Sequence, residues 1–132
     1  MPIVREVARV ARSADPPTVK LEGALEIVFG AYGNGDPEFS AQLLGGWMRS
    51  REDKHCRLTM AWLREQLRLS LEEILAEGLA SGAFRRDLEP GAVAAVMLGA
   101  AEGCLLQSAT HGGAVAPEHL VRTLLRLAVS AA

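Results

Sequence analysis

At 132 residues the chain is one domain's worth, and a chain of this size removes roughly two-thirds of its extended surface from water on folding. Apolar residues make up 49% and aromatics only 5%, so the core is built mainly from Leu, Ala and Val, a palette that favours helix over sheet. Fourteen basic residues against sixteen acidic ones give a formal net charge of −2 with no long run of either sign, which argues against a clustered Lys/Arg surface for nucleic acid.

The first element is a helix over about 2 to 13, with Ile3, Val7 and Val10 on one face, ending at Asp15-Pro16-Pro17. Arg5, Glu6, Arg9 and Arg12 interrupt any apolar stretch there, so the segment is not a signal peptide. A second helix opens at Pro17 or Thr18 and runs to about Tyr32, where Gly33-Asn34-Gly35 stops it; its expected core residues are Leu21, Leu25, Val28 and Phe29. Asp36-Pro37-Glu38 combines an N-cap, a proline at the first helical position and an early acid, and starts a third helix to about Ser50. Gly45-Gly46 beside Trp47 weakens that helix and predicts close packing or a local opening.

The fourth helix is the longest, about Asp53 to Ser81. One stripe carries Cys56, Met60, Leu63, Leu67, Ile74 and Gly78, and a second carries Leu58, Trp62, Leu69 and Ala76. Two stripes predict a helix packed on more than one side. Gly82 ends it, and a polar connection, Arg85 to Glu89, leads to Pro90 and a fifth helix, Gly91 to about Thr110, that is apolar almost all round. Its longest apolar run, Gly91 to Ala101, stops at Glu102, short of the roughly 20 residues that span a bilayer, so a cytoplasmic protein without a membrane partner is expected.

A helix apolar on every side needs more cover than one small domain supplies, and a partner chain would provide it. Gly91, Ala95, Gly99 and Gly103 form a ridge of small residues that admits a close helix, either from the same chain or from a second subunit. After His111-Gly112-Gly113, Pro117-Glu118 opens a sixth helix with a broad apolar face, Leu120, Val121, Leu124, Leu125, Leu127 and Ala128. Two such helices in sequence can make half of a two-fold four-helix interface. The expected fold is thus all-α: a bundle of about six helices, the last two forming an intersubunit four-helix bundle in a homodimer. Its expected interface residues are Ala95, Gly99, Gly103, Leu106, Leu120, Leu124 and Leu127.

Catalytic and metal chemistry find no pattern. Glu52-x-x-His55 has a di-metal spacing but stands alone at a helix junction, and His111, His119, Cys56 and Cys104 have no ligand spacing. The cysteines read as reduced core residues, and no nucleophile elbow, phosphate loop or dinucleotide fingerprint occurs. No metal, cofactor or enzymatic activity is therefore expected. Glu102 and Gln107 are polar positions on a greasy helix, suited either to a solvent edge or partner within the bundle or to orienting a ligand. Arg64, Arg68 and Glu72 read as a solvated face with i, i+4 pairing. Phe29, Leu44, Trp47, Met48, Cys56, Met60, Leu63 and Met97 are the side chains that can line an apolar cavity or simply fill the core.

From Asp15-Pro16 onward the chain resembles the C-terminal domain of TetR-type transcriptional regulators. The segment that carries the likeness is Leu71-Glu72-Glu73-Ile74-Leu75-Ala76-Glu77-Gly78, followed by Ser81-Gly82-Ala83-Phe84-Arg85-Arg86-Asp87-Leu88-Glu89-Pro90 and an Ala-rich helix with a glycine at Gly103. The resemblance implies one domain in which helices over about 1–81 form the pocket for a small apolar or amphipathic effector and those over about 88–132 form the dimer. It also implies that DNA is reached only through an N-terminal helix-turn-helix, for which these 132 residues have no room.

Overall fold

The computed structural model describes residues 2–110 and 116–129. Six helices follow one another: α1 (Pro2–Arg12), α2 (Pro17–Gly30), α3 (Pro37–Arg49), α4 (Lys54–Ser81), α5 (Pro90–Thr110) and α6 (Pro117–Ala128), with a π-turn over Ala31–Gly35 between α2 and α3. No strand forms among the described residues, where Phe84 and Val129 make an isolated antiparallel bridge. The all-helical expectation holds, and so do the helix boundaries to within a residue or two, except that α2 loosens into the wide turn before Tyr32. Gly33 leaves helical geometry there, at φ −76° and ψ −110°. His111 and the glycines after it lie outside the described residues.

The helix starts follow from local chemistry. Asp36 accepts a hydrogen bond from the Phe39 amide at 3.0 Å, and Asp53 accepts from the amides of His55 and Cys56 at 2.9 and 3.2 Å. At α5 the cap is Glu89, whose carboxylate accepts from the amides of Gly91 and Ala92 at 3.3 and 2.6 Å. Gly82 ends α4 in the left-handed conformation, φ +79°, which glycine adopts without a Cβ penalty.

Central to the bundle, α4 packs against α1, α2, α3 and α5, while α6 lies along α2. Its inward line, Leu63, Leu67, Leu71, Ile74 and Leu75, meets Leu21, Leu25, Val28 and Phe29 of α2, all fully buried. Under the α4–α5 connection, the buried Phe84 ring rests on Gly78. A Cβ there would stand 2.0 Å from the ring, so only glycine allows the approach. Gly46 serves α3 in the same way: a Cβ would lie 2.6 Å from the Met60 Sδ, as the paired glycines predict. Among the described residues one charged group is buried, Lys20 of α2; its Nζ donates to the Ala11 carbonyl at the end of α1 at 2.9 Å and to Glu77 of α4 at 2.8 Å.

Two expectations change. The second α4 stripe is not packed within the chain: Leu58, Trp62, Leu69 and Ala76 face outward. Counted through Glu102, Pro90–Gln107 is long and apolar enough to cross a bilayer, so the sequence argument from the length of the run does not stand. The core helix of a soluble protein meets the same criterion, and 33% of this window is buried against the rest of the bundle.

Candidate functional site

Charge and apolar surface concentrate at three places. At the first, α5 and α6 leave a groove of about 280 Å³ walled mainly by Leu88, Val93, Val96, Met97, Leu124 and Leu127, with Arg85 also in its lining. Val96 is 65% exposed and Leu127 57%, although both are large apolar side chains. Along the same outer side of α5, nothing from another element among the described residues lies within 4 Å of where a Cβ on Gly99 or Gly103 would project. The ridge of small residues is thus open over these two glycines, whereas at Gly91 it meets side chains of α4, those of Arg68 and Glu72. Of the residues expected at an interface, Ala95, Gly99, Gly103, Leu106, Leu120, Leu124 and Leu127 are all half-buried or exposed, with Leu106 at 53%. Leu120 and Leu124 pack in part against the core.

The second place is the junction above the π-turn. Tyr32 is buried, edge-on to Phe39 with ring centroids 5.7 Å apart. Burial pushes its phenol well above the ordinary range, and the negative charge of Glu102 adds to the shift against the opposing effect of Arg64. The Arg64 guanidinium reaches across from α4 to the Glu102 carboxylate on α5 at 3.1 and 3.4 Å. Arg64 therefore does not belong to the simple solvated face that its helical spacing predicts; Arg68 does, pairing with Glu65 and Glu72. Glu102 has its partner inside the chain. Such a polar cluster between helices can orient a polar group of a small molecule, since the bundle around it supplies apolar surface.

The third is a cleft of about 350 Å³ between α2 and α6, floored by Phe29 and Val121 and rimmed by Glu22, Glu26, Glu118 and Arg122. Sequence reading places no cavity there, because it needs the pairing of α2 with α6, which no local pattern announces.

The eight residues expected to line a pocket do not converge on one described cavity. Phe29 enters the α2–α6 cleft and Met97 the α5–α6 groove. Phe29, Leu63 and Met97 are core residues, whereas Leu44, Trp47, Cys56 and Met60 are half-buried on α3 and α4. Met48 is 77% exposed on the outer side of α3. Cys104 is buried, which raises its thiol pKa, and Cys56 is half-buried; neither is in a disulfide. Glu52 and His55 sit exposed at the α3–α4 turn, and among the described residues no group of His, Cys, Asp or Glu is arranged to hold a metal ion.

The described residues thus form an all-helical bundle with an interhelical polar cluster and an apolar groove between its last two helices. Residues 17–131 match the family described as BetI-type transcriptional repressor, C-terminal, and the chain belongs to this family of TetR-type C-terminal domains. The matched segment begins at α2, leaving α1 before it. No curated protein and no solved structure gives a match.

Proposed function

We propose that the chain is the effector-binding and dimerisation domain of a cytoplasmic TetR-like transcriptional regulator, acting as a homodimer and holding a small apolar or amphipathic molecule between its helices. The observation that carries the reading is the outer side of α5 with the adjoining edge of α6. Val96, Leu106 and Leu127 are exposed there beside open positions at Gly99 and Gly103, so large apolar side chains and small-residue gaps share one surface. A second copy related by a two-fold axis places the same small residues against each other and covers the groove. Effector binding among α2, α3, α4 and α5 then shifts the population of helix arrangements, by an amount set by the ligand's differential affinity for them. These helices offer DNA no concentrated basic face, so operator contact belongs to a separate helix-turn-helix.

A second reading, a dimerisation module that takes no ligand and pairs with a full-length regulator, is favoured by the close packing of Met60 onto Gly46 between α3 and α4. Native mass spectrometry of the gently desalted chain separates the two. A dimer with a discrete added mass supports effector binding; a dimer that takes up no mass from a panel of amphipathic compounds supports the module. Replacing Leu127 with Glu converts the dimer to monomer if the α5–α6 surface is the interface, and an unchanged dimer mass removes that surface from the contact.

A further inference from the structure

The outward stripe of α4 is used neither by the core nor by the α5–α6 surface. Leu58 is 58% exposed, Trp62 50% and Leu69 43%, all opposite the buried line through Leu63, Leu67 and Ile74. Its charges are segregated along the helix. From Lys54 to Arg64 there are three bases, Lys54, Arg57 and Arg64, and no acid; from Glu65 to Ser81, Arg68 stands against Glu65, Glu72, Glu73 and Glu77.

That order opposes the helix's own dipole, which is stabilised by acids in the first turn and bases in the last; α4 has neither. Lys54 and Glu73 make no ion pair among the described residues. The segregation is unfavourable for a lone helix and favourable for two copies laid antiparallel.

We propose that this face docks a second copy of the same chain, α4 against α4, through a contact separate from the α5–α6 surface. Leu58 and Leu69 are equidistant from the midpoint between Leu63 and Arg64. A two-fold axis there sets Leu58 against the partner's Leu69 and Trp62 against the partner's Trp62. Helical periodicity then brings Lys54 beside the partner's Glu72 and His55 beside the partner's Glu73, each contact occurring twice as two-fold symmetry requires. Glu65 comes near its own copy at the axis, and Arg68, bonded to it at 2.6 and 2.9 Å, offsets that charge. Where both surfaces are occupied, the two contacts together build an assembly larger than a dimer, which closes as a tetramer when the two two-fold axes cross at right angles.

Sedimentation velocity on the full chain tests this, at low salt and over a range of concentrations, with Leu58→Glu, Lys54→Glu and the double variant Lys54→Glu, Glu72→Lys. The substituted side chains are outward or half-buried, and circular dichroism confirms that each variant keeps its helices. The expected result is an assembly whose mass halves in Leu58→Glu, weakens about tenfold in Lys54→Glu and recovers in the double variant, because the swap restores opposite charges across the axis. Equal masses for wild type and Leu58→Glu overturn the proposal, as does a double variant no tighter than the single one; a foreign occupant of this face also gives unchanged mass. Leu127→Glu keeps the two surfaces apart. If it alone dissociates the assembly, the α5–α6 dimer stands and the α4 contact falls; if only Leu58→Glu does, the α4 contact stands and the α5–α6 reading fails.

Discussion

Gly78→Ala sets two opposed effects against each other at one position. In the interior of α4, replacing glycine by alanine gains about 1 kcal/mol of helix propensity. The new Cβ, however, would stand 2.0, 2.2 and 2.7 Å from Cδ2, Cε2 and Cγ of the Phe84 ring. That ring is fully buried, and its backbone is fixed by the Phe84 amide bonded to the Gly78 carbonyl at 3.1 Å and the Arg85 amide bonded to the Ala128 carbonyl at 2.9 Å. Overpacking typically costs about 1–3 kcal/mol, and expelling a buried phenylalanine costs about as much as truncating it, roughly 3–5 kcal/mol. The clash wins, and the variant loses about 1–3 kcal/mol net. Urea unfolding followed by circular dichroism at fixed protein concentration measures it, with Gly30→Ala in α2 as the control, since a Cβ at Gly30 meets nothing within 4 Å among the described residues. Adding Phe84→Leu to Gly78→Ala costs less than the sum of the single changes, because the shorter side chain relieves the contact. A Gly78→Ala protein as stable as the parent refutes the packing argument.

Two other perturbations read single contacts. Lys20→Ala removes a buried cation and strands the Ala11 carbonyl, costing about 2–3 kcal/mol in the same unfolding assay, whereas Glu77→Gln, at the half-exposed end of the pair, costs under about 1 kcal/mol; equal losses contradict this division. Asp53 has its carboxyl pKa lowered mainly by the Cys56 amide, with the His55 amide also donating to it, so its stabilising effect is complete above the usual aspartate pKa and is lost as pH falls through the lowered folded-state value. Thermal melts of Asp53→Asn, a cap that does not titrate, therefore diverge from wild type at neutral pH in a way that shrinks on acidification, and a difference independent of pH removes the charge from the account.

Most of the architecture was legible because breakers and caps carry local information. Asp36-Pro37, Gly82 and Pro117 each stop or start a helix through backbone geometry that neighbouring residues alone determine, and the structure places those boundaries accordingly. Local pattern cannot say which helix lies beside which. Lys20 is buried only because α1, α2 and α4 converge on it; nothing in its neighbours separates it from a surface lysine. The Arg64–Glu102 pair likewise joins residues from different helices, so spacing along α4 suggested pairing within the helix instead. Gly46 was visible as a costly residue in a helix and Gly78 only as a member of an apolar stripe, and the partners that account for them, Met60 and Phe84, became visible only with the packing. The eight side chains expected to line a pocket are likewise spread over four helices, which local pattern cannot arrange in space. Membership of an apolar stripe places a side chain on a face, but Met48 lies on α3 where no helix covers it.

The two uncovered surfaces differ in chemistry, and that difference bears on what each can specify. Around Ala95, Gly99 and Gly103 the outer side of α5 has small residues and no formal charge, so a facing helix can come close and gain dispersion contact, but little there fixes register beyond shape. On α4 the exposed Leu58, Trp62 and Leu69 are flanked by segregated charges, so register and direction are strongly determined: a parallel copy sets Lys54 against Lys54 and Glu72 against Glu72, whereas an antiparallel copy pairs opposite signs. Salt therefore separates the two. Added salt screens the α4 contact and weakens it, while an apolar α5–α6 contact holds or tightens, so raising ionic strength should take a tetramer to the α5–α6 dimer rather than directly to monomer.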